Sequence, residues 1–137
     1  MKLDHLGIAV RSLASAVKFY ESVLGLRVSG YYDVPQEKVR VAMLPLGSTR
    51  IELLEATAED SPIARFIAKR GEGLHHIAIE VDDLSAHVRQ LRAAGVGLVG
   101  DGEQVGAGGH RYAFIHPSSA GGVLVELIAG AREKAKP

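Results

Sequence analysis

The chain repeats itself, and no other feature limits its possible folds so tightly. His5-Leu6-Gly7-Ile8-Ala9-Val10 is echoed 71 positions later by His76-Ile77-Ala78-Ile79-Glu80-Val81. Leu13 and Val17 are answered by Leu84 and Val88, and Arg50-Ile-Glu-Leu-Leu54 by Leu124-Val-Glu-Leu-Ile128. Self-similarity at a fixed period means that one supersecondary unit is used twice. Each copy opens with a histidine and carries a glutamate near its end.

The unit can be read from its hydrophobic periodicity. Residues 3–10 alternate as a strand, with Leu6, Ile8 and Val10 on one face and His5, Gly7 and Ala9 on the other. Ser12 is an N-cap signal for a helix bearing Leu13, Val17, Tyr20 and Leu24, ended by Gly25. Strand-like runs follow at about 26–33, 38–46 and 49–55, with a hairpin turn at Gly47-Ser48. The second copy predicts a strand at 74–82, a helix at about 84–94 and strands near 98–105, 111–116 and 122–129. Between the copies, Ser61-Pro62 starts a connector helix of about 61–71 with Ile63, Phe66 and Ile67 on its apolar stripe.

These elements predict an α+β fold, a single domain over 1–137 built from two tandem βαβββ modules at about 1–57 and 74–130. Neither module can bury both faces of its sheet alone. The pair is therefore expected to combine into a curved eight-stranded half-open barrel with helices outside. The tail 131–137, with Arg132, Lys134 and Lys136, is expected to fray.

Composition narrows the function. The 16 basic and 16 acidic residues cancel, which argues against nucleic acid or an anionic membrane as the main partner. The absence of cysteine removes disulfides, thiolate nucleophiles and soft-sulfur metal sites. With no apolar leader and no run long enough to span a bilayer, a soluble cytoplasmic protein is expected.

Strand parity and the repeat both select His76 over His75: His76 aligns with His5 and shares a face with Ala78 and Glu80. Glu52 and Glu126 interrupt otherwise apolar strands, where an ionised carboxylate costs several kcal/mol unless it is paired or binds a metal. A glutamate on an alternating strand can equally face solvent. Its recurrence in both copies, each with a histidine, favours a shared site. His5, Glu52, His76 and Glu126 are thus candidate ligands for one divalent ion among Mn, Co, Ni, Fe and Zn. His87 reads as a surface residue and His116-Pro117 as a turn former. His110 follows Gly106-Ala-Gly-Gly109, which offers backbone N–H groups to an anion or is a plain hairpin tip.

The paired modules with His and Glu in each half resemble the vicinal oxygen chelate superfamily, which includes glyoxalases, extradiol dioxygenases and antibiotic-resistance proteins. More narrowly, the chain resembles the methylmalonyl-CoA epimerase family. The similarity rests on Asp4–Val10, on Leu46–Glu55, on Ser61-Pro-Ile-Ala-Arg-Phe-Ile-Ala-Lys69 with Gly73-Leu-His-His-Ile-Ala-Ile-Glu-Val-Asp-Asp83, and on His116-Pro117 leading to Gly122–Leu127. It implies His5, His76 and Glu126 as metal ligands with Glu52 in the fourth position, and Co or Mn as the favoured ion. It also implies epimerisation at C2 of methylmalonyl-CoA and an acyl-CoA partner. Exposed edges of an eight-stranded arrangement and a small core make a homodimer the expected assembly. The pattern departs at Val39-Arg-Val-Ala-Met43, where some members carry a second catalytic carboxylate and this chain has none.

Inverting C2 needs an acid/base on each face of an enolate, and Glu126 and Glu52 are the candidates. Arg40, Arg50, Lys69, Arg70 and Arg111 are available to CoA. Alternative activities on the same scaffold are a glyoxalase-type lyase, an extradiol dioxygenase, or a metal-free antibiotic-binding protein.

Overall fold

In the computed structural model, residues 1–106 and 109–130 are described. The expected frayed tail and the two middle residues of the Gly106–Gly109 run lie outside them. The described residues form an eight-stranded mixed sheet and three α-helices. By its contacts the chain divides into two compact units, His5–His75 and the residues from His76 on, the latter joined by Met1–Asp4.

The first unit holds β1 (Lys2–Ala9) from His5 on, α1 (Leu13–Val17), β2 (Gly30–Val34), β3 (Val39–Leu46), β4 (Thr49–Ala56) and α2 (Pro62–Arg70). Strands β1 and β4 are parallel, and β4-β3-β2 form an antiparallel meander. The Ser12 hydroxyl accepts from the Ser15 N–H at 3.2 Å and caps α1. One cluster packs this helix on the sheet: Val10, Leu13, Ala42, Leu44 and Leu53, with Ile8, Ala16, Val17 and Tyr20.

Beyond Val17 the helix widens to π-type bonding over Lys18–Val23, and the Leu24 N–H donates to the Phe19 carbonyl at 3.0 Å. The wider turn rotates Leu24 off the apolar stripe and leaves it 56% exposed, contrary to the helical spacing. The strand expected from residue 26 begins only at Gly30.

Helix α2 starts where Ser61-Pro62 predicts, with the buried Ser61 hydroxyl accepting from the Ile63 N–H at 3.1 Å. It ends at Gly71, whose φ of 80° favours glycine. Its Ile63, Phe66 and Ile67 join Ala9, Val39, Val41 and Leu54 in a second cluster. Ala9 and Leu54 share their strand faces with His5 and Glu52, so α2 closes one end of the face that carries those two side chains. Ala9 therefore packs beneath a helix instead of leaving room for a ligand.

The second unit repeats the plan with β5 (Gly73–Val81) from His76 on, α3 (Leu84–Ala93), β6 (Gln104–Val105), β7 (Arg111–Ile115) and β8 (Leu124–Ala129). Strands β5 and β8 are parallel, and β8-β7-β6 are antiparallel. Val81, Leu84, Val88, Ala113, Leu127 and Ala129 pack α3 on the sheet face away from His76. The strand expected over 98–105 shrinks to two residues and an isolated Leu98–Ile115 bridge. Gly100 and Gly102 turn to positive φ there, and a Cβ on Gly102 would meet the Arg92 guanidinium at 2.6 Å. The same guanidinium donates to the Asp101 carbonyl.

Candidate metal centre

The repeat imposes one geometric rule in each unit. In the first, β1 and β4 pair with Gly7 opposite Glu52, so the glutamate lies two residues along from His5 on the same face. In the second, Ala78 stands opposite Glu126, two residues along from His76. Small residues at these positions let each carboxylate lean back toward its histidine. His5 Nδ1 lies 3.6 Å from Glu52 Oε2, and His76 Nε2 lies 3.9 Å from Glu126 Oε1. Both histidines and Glu52 are buried, at 5%, 9% and 6% exposure.

His5, His76 and Glu126 are a set of residues that could hold a divalent metal ion, each offering one ligand atom. Two imidazoles and a carboxylate suit Mn, Fe, Co, Ni or Zn in the divalent state, and which of them binds is not encoded in the donor set. By its donor chemistry the set fits the ion that the repeat predicts. Glu52 is not in that group. Its carboxylate is bound by two neighbours: Arg50 Nε donates to Oε2 at 2.9 Å and the Tyr32 hydroxyl donates to Oε1 at 3.2 Å. Arg50 Nη2 also lies 3.3 Å from His5 Nδ1.

The need for a partner that burial places on a carboxylate is thus met at Glu52 by a guanidinium. Arg50 and Tyr32 are the residues that sequence reasoning overlooks in these roles. Arg50 was readable, because positions i and i+2 of a strand share a face. Tyr32 was not, because it reaches Glu52 from β2 across β3, where Tyr32 pairs with Val41 and Met43 with Glu52.

The other histidines have local work. His75 packs edge-on against Phe66 of α2, with ring centroids 5.0 Å apart, and burial lowers its pKa so that the neutral ring is favoured. His87 Nδ1 donates to the Asp83 carbonyl at the start of its own helix. His116 Nδ1 accepts from the Ser118 N–H and shapes the turn before β8, as the following proline implies. His110 stacks on Tyr112, and Tyr112 meets Phe114 edge-on. Phe114 lies directly opposite Glu126.

Of the cations available to CoA, Arg111 is bound by Glu103 and Ser85, and Arg40 and Arg70 lie over the rings of Tyr31 and Phe66. Lys69 lies in the last turn of α2. No helix among the described residues is long and apolar enough to cross a membrane.

Residues 4–114 match the sequence model of the Glyoxalase/Bleomycin resistance protein/Dioxygenase superfamily. The mitochondrial methylmalonyl-CoA epimerase of Mus musculus is 42% identical over 127 residues, which cover 92% of this chain and 71% of that protein. The ethylmalonyl-CoA/methylmalonyl-CoA epimerase of Cereibacter sphaeroides is 41% identical over 128 residues, 92% of this chain and 96% of that one. Among solved structures, a variant of Streptomyces coelicolor methylmalonyl-CoA epimerase in complex with 2-nitronate-propionyl-CoA superposes with a TM-score of 0.85 at 37% identity. The match covers 96% of this chain and 95% of that one.

Proposed function

The chain belongs to the methylmalonyl-CoA epimerase family of the Glyoxalase/Bleomycin resistance protein/Dioxygenase superfamily, and from that premise we propose that it interconverts the two C2 epimers of methylmalonyl-CoA. What carries the reading is identity of 41% and 42% to two such epimerases, each over 92% of the chain. The donor chemistry supports it independently.

In this reading His5, His76 and Glu126 hold one divalent ion, with cobalt or manganese the expected occupant. When bound, the ion supplies Lewis-acid stabilisation of the charge that develops on the thioester oxygen. The remaining work falls to side chains. Removing the C2 proton gives an enolate, and inverting the centre needs a proton acceptor on one face and a donor on the other. We assign these roles to Glu52 and Glu126, one from each copy of the repeat. Glu52, read from the sequence as a further ligand, is better suited to moving a proton, because Arg50 and Tyr32 already hold its carboxylate. Those two hydrogen bonds fix that carboxylate's orientation, and burial limits competing water. The protein acts in this reading as a cytoplasmic homodimer.

The test is hydrogen exchange at C2 of methylmalonyl-CoA in deuterium oxide, run with and without a chelator. Deuterium should enter C2 and epimers should interconvert, and the chelator should stop both. Absence of C2 exchange in metal-loaded protein overturns the assignment.

A further inference from the structure

Glu126 has two unlike neighbours in the sheet. On the β5 side it stands opposite Ala78, and His76 Nε2 lies 3.9 Å from its Oε1. On the β7 side its partner is Phe114. Directly paired residues of antiparallel strands point to one face with Cβ atoms about 5 Å apart, so the phenyl ring borders the carboxylate. One flank of Glu126 is therefore an imidazole and the other a hydrocarbon wall.

That wall is braced. Phe114 is half-buried and meets Tyr112 edge-on, with ring centroids 5.6 Å apart. Tyr112 in turn stacks on His110 at 5.7 Å, and positions 110, 112 and 114 alternate along the chain onto a common face. A Cβ on Gly106 would come within 3.2 Å of Tyr112 Cε1, so glycine there lets the tyrosine ring lie close against the backbone. Swinging the Phe114 ring away from Glu126 forfeits the edge-on contact, which makes the wall stiff.

We propose that Phe114 is a specificity-determining residue that limits the size of the substituent at C2, with Tyr112 the positioning residue that holds its ring. The inference rests on the epimerase reading, which sets C2 against Glu126. C2 of methylmalonyl-CoA carries two carbonyl groups and one methyl. The carbonyl oxygens need polar partners, which the His76 flank offers, whereas the methyl is best placed on an apolar surface. That assigns the methyl to the Phe114 flank. An ethyl group adds one methylene in this direction and meets a ring that the stack holds in place. One methylene in an apolar pocket discriminates by roughly ten- to two-hundredfold.

The test compares malonyl-CoA thioesters bearing methyl or ethyl at C2, each scored by kcat/KM for entry of solvent deuterium at C2. The unsubstituted, metal-loaded protein should prefer methyl by about tenfold or more. Phe114→Ala should raise the ethyl-to-methyl ratio by about tenfold or more, and Phe114→Leu should move it the same way by less. Tyr112→Leu should raise the ratio too, whereas Tyr112→Phe, which keeps the ring, should leave it where it was. General damage to packing would lower turnover of both substrates without changing their ratio.

An unsubstituted protein that takes ethyl as readily as methyl overturns the size limit. So does an unchanged ratio in Phe114→Ala, or in Phe114→Leu where the alanine variant does not fold. An unchanged ratio in Tyr112→Leu removes the positioning role. Each of these results leaves the epimerase reading intact. No label in the methyl compound with the unsubstituted protein overturns that reading, and the size limit with it.

Discussion

Glu52 is the residue on which the electrostatics of the first unit turn. It is buried beside His5, and Arg50 supplies the compensating charge on the same strand face. Removing one member of such a pair leaves the other desolvated and unpaired, which costs more than the pair contributes. Arg50 is about one-third exposed, so water recovers part of the loss. Arg50→Met should therefore destabilise the protein by about 2 kcal/mol in urea unfolding. Arg50→Met combined with Glu52→Gln should recover most of that loss, because the charge that needed compensating has gone. Additive single effects in this cycle would mean that the two side chains do not depend on each other. At this scale the sequence was partly legible. His5, His76 and Glu126 announced themselves through recurrence, and Arg50 lay two positions from Glu52 in plain view. Tyr32 depended on the β2–β3 register, a long-range pairing that no local pattern records.

Among the elements, α2 repays attention because two independent features fix its start. Ser61 is fully buried, its hydroxyl accepts from the Ile63 N–H, and it also donates to the Glu37 carbonyl at 3.2 Å. Ser61→Ala removes the cap and leaves the Glu37 carbonyl short of a donor. A loss of about 1–2 kcal/mol in urea unfolding, with an unchanged denaturant slope, is expected. A loss confined to a few tenths would show that water replaces both bonds. The same helix marks how far periodicity can be read. Its boundaries followed from Ser-Pro at one end and glycine at the other, signals confined to a few adjacent residues. Its place over the end of the His5 face did not, since an apolar stripe says that a helix packs and not where. The π-widened turn after α1 and the shortened β6 escaped for a related reason. The first is a matter of backbone bonding, Leu24 N–H to the Phe19 carbonyl, and the second of positive φ at Gly100 and Gly102. Neither is recorded in the local hydrophobic spacing.

For the molecule as a whole, doubling matters because it lets one short motif supply donors twice. His5 comes from the first copy, and His76 and Glu126 from the second. An ion held by all three binds only the native chain, since residues so far apart in sequence do not converge when unfolded. Binding to the native state alone raises stability by RT ln(1 + [L]/Kd), about 2.7 kcal/mol at a hundredfold excess over Kd. For a chain of this length that corresponds to a rise of several degrees in Tm. Addition of cobalt or manganese to chelator-treated protein should therefore raise Tm in a concentration-dependent way. His76→Ala should abolish the rise, whereas His75→Ala, one residue away and packed on Phe66, should keep it at a lower starting Tm. This contrast separates ligation from general damage, because both variants remove an imidazole from the same strand. A rise preserved in His76→Ala and lost in His75→Ala would reverse the strand parity on which the donor set depends. The repeat would then account for the fold and not for the metal.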